Sequence, residues 1–384
     1  MERLTGRVQD YAWGSTHLLA ELRGTAPTDQ PEAEIWYGAH AKAPSTVDGG
    51  STLLDVIEAD PVGQLGQSIL DDFGPQLPFL VKLLAADSPL SIQAHPSAEQ
   101  ARAGFAAEEA AGIDRGAPHR SFRDPNPKPE LVFALGEFEA LVGFRPIAET
   151  QDFLRAIGFD GFGELLEGGP KSAVEALLAP DSSESSAGAV ADLISVLVDS
   201  CERYEGDGWA GEAALIVRLN GVYPNDPGVG VAALLNFLVL QPGEAMFLDA
   251  GNMHAYVSGL AVEVMANSDN VVRGGLTPKH IDVPTLLDIV VPDQIHPNVV
   301  GQAADGSFET PSPEFSMTAH RDPAGHELVG PQIVVGIEGT MSITGLDPAG
   351  ETLELAPTDG AWLAAGERAV LNGTGLCAST TTRR

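Results

Sequence analysis

Cysteine is nearly absent from this chain of 384 residues, which contains only Cys201 and Cys377. Two cysteines cannot build a disulfide framework, and they cannot supply the ligands of a cysteine-rich zinc finger. Such sparing use of cysteine is typical of a reducing compartment. We therefore expect a cytoplasmic protein.

Long hydrophobic runs are also missing. The longest apolar stretch, "GVGVAALLNFLVL" at 228–240, is shorter than the roughly 20 residues that a membrane-spanning helix needs. The N-terminus "MERLTGRVQDYAWG" contains no apolar signal core. The sequence therefore predicts neither membrane insertion nor secretion.

Positive charge is scarce, since 21 lysines and arginines face 54 aspartates and glutamates and the formal net charge is −33. A chain of this charge is a poor partner for nucleic acid or an anionic membrane. An anionic small molecule could bind only where cations are concentrated locally. The lysines are Lys42, Lys82, Lys128, Lys171 and Lys279.

The hydrophobic fraction of 43% is ample for a core, and the secondary-structure pattern of the sequence changes twice along the chain. Residues 1–145 alternate short runs that look extended, such as "STLLDVI", "LPFLVKLLAA" and "PLSIQAHP", with Gly, Pro and Asp. Residues 146–236 show helical spacing, interrupted by the loop-like "PDSSESSAG". Residues 237–300 and 301–384 return to β texture, apart from a helix predicted at "VPTLLDIV". The pattern predicts a mainly β protein with an inserted α-helical domain.

An internal echo indicates a duplicated β unit. "MFLDAGNMHA" at 246–255 resembles "AWLAAGERAV" at 361–370, and each copy reads as strand, tight glycine turn and strand. A repeated hairpin of this type is typical of a duplicated jelly-roll barrel. The second copy has Ala369 in the place of His254, so we expect the C-terminal unit to be structural.

Four polar side chains have the chemistry of a metal site. Gln93 and His95 share one face of an extended segment, Glu130 opens an apolar strand, and His254 follows a glycine turn. Two imidazoles, a carboxylate and an amide oxygen suit Zn²⁺, with iron and manganese as competitors. The alternative is that each group is satisfied separately in a core or at a strand end.

The segment "HAYVSGLAVEVMANSDNVVRGGLTPKH" at 254–280 concentrates further functional side chains. Arg273 lies in an irregular stretch where such residues are often placed. A structural salt bridge to Asp269 is the alternative for this arginine. The other members of the set are Tyr256, Glu263 and Lys279.

This segment resembles the signature of the type I mannose-6-phosphate isomerases (phosphomannose isomerases). Other landmarks of that family follow in order: "YAWGS", "AEIWYGAHAKAPS", "PFLVKLLAADSPLSIQAHPS", "DPNPKPELVFAL" and "PGEAMFLDAGNMHAYV". The resemblance implies duplicated cupin-type barrels, with a catalytic barrel built from residues 1–145 and 237–300. It makes 146–236 the helical insertion and 301–384 a cupin-like domain without metal ligands. It also implies one zinc per chain and interconversion of mannose 6-phosphate and fructose 6-phosphate.

Carried over by position, the resemblance makes Gln93, His95, Glu130 and His254 the zinc ligands. Arg273 falls on the family's catalytic arginine, and Glu263 and Lys128 are our other catalytic candidates. The positions expected to bind substrate are Trp13, Glu34, Lys82, Ser91, Tyr256, Asp269 and Lys279.

Two positions depart from the family pattern. The family commonly has histidine where this chain has Pro127, and His119 is the nearest replacement in sequence. Many members have alanine at the position of Gly274. Any role of the missing histidine, such as helping to open the sugar ring, cannot be assigned to Pro127.

Isomerisation through an enediol needs a base and positive charge beside the developing oxyanion. Arg273 is expected to stabilise that charge, and Glu263 or a zinc-held water is expected to be the base. A metal-dependent cupin oxygenase and a non-catalytic sugar-phosphate sensor are the alternatives. The sequence leaves the oligomeric state open and is compatible with a monomer.

Overall fold

A computed structural model describes residues 1–179, 184–293, 297–347 and 350–383. Within these ranges the chain forms twenty strands and twelve helices. The strands are β1 (Glu2–Thr5), β2 (Arg7–Gln9), β3 (Glu34–Tyr37), β4 (Thr46–Val47), β5 (Phe79–Ala86), β6 (Ile92–Ala94), β7 (Glu130–Ala134), β8 (Phe138–Phe144), β9 (Leu235–Leu240), β10 (Ala245–Leu248), β11 (His254–Ala266), β12 (Val272–Gly275), β13 (Val299–Val300), β14 (Ser307–Phe308), β15 (Ser316–Arg321), β16 (Ala324–Val329), β17 (Gln332–Gly345), β18 (Thr352–Leu355), β19 (Gly360–Leu363) and β20 (Arg368–Thr381).

The helices are α1 (Leu18–Leu22), α2 (Leu53–Ala59), α3 (Pro61–Leu65), α4 (Gln67–Phe73), α5 (Ala98–Ala110), α6 (Ile147–Ala156), α7 (Gly163–Glu167), α8 (Pro170–Leu178), α9 (Glu184–Glu202), α10 (Ala210–Val222), α11 (Pro227–Ala232) and α12 (Val283–Ile289). In the described part of the chain, no helix is long and apolar enough to cross a membrane.

The strands lie in two antiparallel sheets of nine and eleven strands within the described ranges. The smaller sheet runs β14-β15-β20-β17-β19-β1-β4, and the larger has the path β13-β10-β7-β11-β5-β3-β2 with β6, β8, β9 and β12 branching from it. Buried side chains from both sheets, including Tyr37, Phe79, Met317 and Trp362, pack into one core. The predicted mainly β architecture of jelly-roll type is confirmed.

Strand β11 folds the larger sheet over on itself. Its first residues pair with β6 and β8, whereas Gly259–Ala266 pair with β5 and β7. The change of partners follows an irregularity between Tyr256 and Ser258. Gly259 has φ +121°, and a Cβ there would lie 2.6 Å from the Glu137 carbonyl oxygen, so only glycine fits this bend. The bend brings the starts of β7 and β11 close to β6.

The helices α6–α11 occupy the segment that we predicted as a helical insertion. Their buried side chains, among them Phe153, Phe162 and Leu219, pack with Ile92 and Leu141 of the larger sheet. The helix predicted at "VPTLLDIV" is α12. Our division of the chain into four parts stays a prediction. The sheet pairing crosses one of its boundaries, because β1 and β4, from the N-terminal part, join the sheet of the C-terminal strands.

Two predicted elements were wrong. "STLLDVI" is the start of helix α2, because Thr52 accepts the amide of Asp55 at 3.1 Å and Asp55 accepts the amide of Thr52 at 3.0 Å. This reciprocal cap favours a helix over the extended run that the β-branched residues indicated. Of the predicted loop "PDSSESSAG", residues 180–183 lie outside the described ranges, and the rest already belongs to α9. That helix extends from a buried segment containing Ile194 and Leu197.

The two echo segments have the predicted sequence of strand, glycine turn and strand. Gly251 and Gly366 have φ of +76° and +79°. The segments are not hairpins, however, because their two strands do not pair with each other. Instead β10 and β11 both pair with β7, and β19 and β20 both pair with β17. The echo thus reflects two equivalent strands on either side of a third.

Candidate active site

The predicted site residues converge on one cavity beside the bend in β11. Alternation along β6 buries Ile92 and Ala94 in the helical core and turns Gln93 to the opposite face. The cavity is lined by the predicted residues Glu34, Lys82, Gln93, Lys128, Glu130, Tyr256, Glu263 and Asp269.

The remaining predicted residues lie around this cavity rather than in its lining. Arg273, on β12, is the Cα partner of Gln93. Trp13 stacks on Tyr11, a lining residue, with 5.8 Å between ring centroids. Ser91 is half-buried directly before β6, and Lys279 is exposed after β12.

His95, Glu130 and His254 form a buried cluster with the composition of a metal site. The Nε2 atom of His95 lies 3.3 Å from Glu130 Oε1, and that of His254 lies 3.4 Å from Glu130 Oε2. Neither Nε2 atom has a hydrogen-bond partner among the described residues. Buried polar atoms are rarely left in this state, and a cation between the three side chains would satisfy all of them.

Backbone carbonyls fix the tautomers of both histidines. His95 Nδ1 lies 2.7 Å from the Asn270 carbonyl oxygen, and His254 Nδ1 lies 3.0 Å from that of Asn252. Each Nδ1–H therefore donates to a carbonyl, and each Nε2 lone pair points at Glu130. This is the usual outer-shell arrangement of metal-binding histidines. Burial, and then Lys128, lower the pKa of His95 to about 4, which keeps its ring neutral as a ligand requires.

Glu130 is held by two further groups. Lys128 Nζ lies 2.9 Å from its Oε1, and the Tyr256 hydroxyl lies 3.0 Å from its Oε2. Burial alone would raise the pKa of Glu130, but Lys128 and then His95 hold it well below its usual range. Glu130 is therefore a permanently ionised carboxylate.

A second buried network continues from Tyr256. Its hydroxyl lies 2.7 Å from Glu263 Oε1, and Lys82 Nζ lies 2.7 Å from Glu263 Oε2. Lys82 also lies 3.3 Å from Glu34 Oε1, and the Trp36 indole donates to Glu34 Oε2 at 2.7 Å. Both oxygens of Glu263 and both of Glu34 are therefore engaged.

The buried charges of the site favour an additional cation. Among the described residues, the three buried carboxylates of Glu34, Glu130 and Glu263 form ion pairs with two buried ammonium groups, those of Lys82 and Lys128. Although burial alone would lower the pKa of Lys82, Glu263 and Glu34 raise it. A divalent ion would change the net charge of this buried set from negative to positive.

A separate group of cations lies near the cavity. Burial, and then Arg123, lower the pKa of Arg273; burial, followed by Arg273, Lys42 and Arg123, lowers the pKa of Lys279. Within the described ranges none of these four residues forms an ion pair with a carboxylate. The alternative of a salt bridge between Arg273 and Asp269 is therefore wrong, and Asp269 instead lies 3.6 Å from His40.

The chain is similar to known proteins along its whole length. The phosphomannose isomerase type I catalytic domain matches residues 1–147. Mannose-6-phosphate isomerase of Escherichia coli is 37% identical over 394 residues, covering 96% of each chain. That of Salmonella typhimurium is 40% identical over 344 residues, covering 83% of each. The chain belongs to the mannose-6-phosphate isomerase family.

A solved mannose-6-phosphate isomerase of this family, bound with zinc and yttrium, superposes with a TM-score of 0.88, 35% identity and full coverage of both chains. The family membership confirms the resemblance that the sequence motifs indicated. Membership also makes the chain one of a family of isomerases.

Pro127, one of the two positions that depart from the family pattern, does not face the site. Pro127 lines a different hollow, together with Phe73, Ala98 and Asn267. His119, the replacement that we considered from the sequence, is exposed in the loop after α5. Neither residue therefore brings an imidazole to the cavity.

Several site residues escaped prediction. Asn252 and Asn270 orient the two histidines through their backbone carbonyls, and a backbone contact cannot be predicted from the residue type. Tyr11, Trp36, His40 and Lys42 line the cavity. Three of these four lie in the motif "AEIWYGAHAKAPS", which was the available signal.

Proposed function

We propose that this protein is a zinc-dependent isomerase that interconverts mannose 6-phosphate and fructose 6-phosphate. The observation that carries the proposal is the pair of unpartnered Nε2 atoms of His95 and His254, both aimed at Glu130 beside a cavity rich in cations. Membership of the mannose-6-phosphate isomerase family supports mannose 6-phosphate as the substrate.

We assign one zinc ion per chain to Gln93, His95, Glu130 and His254. Gln93 is adjacent to His254 across the β6–β11 pairing and lines the cavity, which supports its amide oxygen as the fourth ligand. Zinc held there would supply Lewis-acid polarisation of the sugar oxygens at C1 and C2.

We assign the substrate phosphate to Lys279, with Lys42 and Arg123. Lys82 and Lys128 are already paired with buried carboxylates, so their charge is not available for a dianion. The three proposed residues have no carboxylate partner within the described ranges, and burial and mutual repulsion lower the pKa of Lys279. A bound phosphate would remove that repulsion.

We assign the base to Asp269 rather than to Glu263. Each oxygen of Glu263 already accepts a hydrogen bond, Oε2 from the Lys82 ammonium and Oε1 from the Tyr256 hydroxyl, which makes this carboxylate a weaker base. Asp269 lines the same cavity and its side chain is 46% exposed. Among the described residues no hydrogen bond engages its carboxylate, and His40 Nε2 approaches it at 3.6 Å.

In this mechanism the Asp269 carboxylate removes the proton from C2 of the open-chain aldose. The C2–H electron pair forms the C1=C2 bond, and the carbonyl pair moves to O1. A proton then passes from O2 to O1, the O2 electron pair forms the C2=O2 bond, and the C1=C2 pair takes the proton back from Asp269 at C1, which gives the ketose. Arg273 stays protonated and stabilises the negative charge on the enediolate.

The deciding experiment is an assay for fructose 6-phosphate formed from mannose 6-phosphate by the zinc-loaded protein. Turnover that depends on zinc is the expected result. Oxygen consumption without isomerisation would instead identify an oxygenase. Sugar-phosphate binding without turnover would identify a sensor.

A further inference from the structure

His40 is a buried imidazole that lines the cavity but belongs to neither the proposed ligand set nor the predicted site. It is 7% exposed and lies in the connection between β3 and β4. Trp36 meets its ring edge-on, with centroids 5.0 Å apart, and the His40 carbonyl accepts the amide of Ala43 at 3.0 Å. The ring is therefore held in place on the wall of the cavity.

The backbone determines which ring nitrogen carries the proton. The amide of Lys42 donates to His40 Nδ1 at 3.2 Å, so Nδ1 presents its lone pair. A neutral His40 must then carry its hydrogen on Nε2. That atom lies 3.6 Å from Asp269 Oδ2, so the N–H group faces the carboxylate.

The surroundings keep this ring neutral. Burial lowers the pKa of His40, and the cations of Lys82 and Lys42 lower it further, against the opposing effect of Asp269 and Asp124. A doubly protonated ring would also direct an Nδ1–H at the Lys42 amide. His40 is thus a donor at Nε2 rather than an exchanger of protons.

Asp269 is held at its backbone but is free at its carboxylate. Its amide donates to Asp124 Oδ2 at 2.8 Å. No side-chain hydrogen bond fixes its carboxylate within the described ranges, and His40 is its nearest partner. A carboxylate that acts as a base must be held in one orientation toward the substrate, and an apo structure often shows such contacts longer than they are in the complex.

We propose that His40 is a positioning residue, a neutral Nε2–H donor that orients the Asp269 carboxylate for proton transfer to and from the sugar. The inference rests on the proposed function. His40 takes no proton itself, so the balance of the isomerisation is unchanged.

The test compares His40→Phe with His40→Gln in the zinc-loaded enzyme. Phenylalanine keeps a ring against Trp36 but has no donor, whereas glutamine keeps an N–H group and cannot titrate. We expect His40→Phe to lower kcat at least tenfold, with KM within about twofold and zinc content unchanged. We expect His40→Gln to keep at least a third of kcat and the wild-type pH profile.

A double-mutant cycle tests whether His40 acts through Asp269. When Asp269 is already replaced by asparagine, adding His40→Phe should lower the residual kcat by less than twofold. A full tenfold loss there, equal losses in the two single variants, or an acidic limb that disappears in His40→Gln would each overturn the proposal.

A measurement on the wild-type protein is independent of activity and of variant folding. Nitrogen-15 NMR of the histidine rings should give His40 the pattern of the neutral Nε2–H tautomer between pH 6 and pH 8. A charged ring or the Nδ1–H tautomer in this range would refute the inference. Absence of isomerase activity in the zinc-loaded wild type would instead refute the proposed function.

Discussion

The Nε2 atom of His95 faces the Oε1 atom of Glu130 at 3.3 Å inside the protein, with both side chains almost completely buried. The Nδ1–H group of His95 donates to the Asn270 carbonyl oxygen, so His95 Nε2 carries no hydrogen. The lone pair of Nε2 therefore faces a lone pair of Glu130 Oε1 without a proton between them. This contact is unfavourable unless a cation is present.

Removal of the metal should therefore affect activity and stability together. We expect a chelator to abolish isomerisation and to lower the melting temperature, and zinc to restore both, since binding to the folded state alone stabilises it. Metal analysis, an isomerase assay and a thermal melt measure the three quantities. Full activity in protein shown to be free of metal would contradict a catalytic ion.

Tyr256→Phe should weaken zinc binding. Its hydroxyl is placed between Glu130 and Glu263, and its loss leaves buried carboxylate oxygens unsatisfied, at a cost of about 1–3 kcal/mol in unfolding free energy. Such outer-shell changes lower metal affinity about 10- to 100-fold. Zinc affinity by chelator competition is the measurement.

Tyr37→Phe is the matched control for Tyr256→Phe. Tyr37 is equally buried, and its hydroxyl donates to the Thr358 carbonyl at 2.6 Å, away from the metal cluster. This variant should lose stability but keep zinc affinity. Equal weakening of zinc binding in both variants would show that the effect of Tyr256 is a general one.

Arg273→Ala should lower kcat by about 100-fold or more, because a charge that stabilises the enediolate acts mainly in the transition state. Zinc content should stay near one ion per chain, since no Arg273 side-chain contact with the metal cluster is present among the described residues. The control is Arg218→Ala, whose side chain pairs with Glu139 on the surface. Parallel loss of zinc and activity in Arg273→Ala would make this arginine structural.

Lys279→Ala and Arg123→Ala should raise KM for the sugar phosphate about tenfold or more and have less effect on kcat, because they bind a group remote from the reacting carbons. The effect should shrink at high salt, where the phosphate charge is screened. Lys171→Ala, in helix α8 away from the site, is the control. An unchanged KM for both variants would remove them from the phosphate site.

The C-terminal sheet should contribute a pH-dependent stability. Burial, and then the charge of His326, lower the pKa of His320 from 6.5 to about 4. The unfolded chain therefore binds a proton that the folded protein does not, so stability should fall as the pH drops from about 6.5 to about 4. Denaturant unfolding across this range should give a smaller slope for His320→Gln than for wild type.

The candidate ligands were easier to predict from the sequence than the groups that hold them in place. Gln93, His95, Glu130 and His254 could be proposed as ligands because alternation along a strand and the chemistry of zinc constrain the choice. The structure brings His95, Glu130 and His254 into one cluster. The carbonyls of Asn252 and Asn270 could not be predicted, since any residue has a carbonyl. The role of Glu263 as a base is disfavoured, because Lys82 on β5 and Tyr256 on β11 both donate to its carboxylate, and the sequence does not show that β5 and the bent β11 meet there.

The fold was predictable where periodicity is strong and poorly predictable where capping decides. The helical block and the β texture were read correctly, whereas Thr52 and Asp55 turned an apparently extended run into α2. The pairing of strands could not be predicted, because the echo segments indicate where the chain turns but not which strands lie next to each other. The separation in sequence between β1 and β19 is the extreme case.

The pairing of β1 with β19 has a consequence for synthesis of the protein. Leu4 pairs with Gly360, so β1 receives this partner only when synthesis has passed Gly360. Until then its hydrogen-bonding edge and the apolar face around Leu4 stay exposed on the ribosome, where nascent chains aggregate or need chaperones.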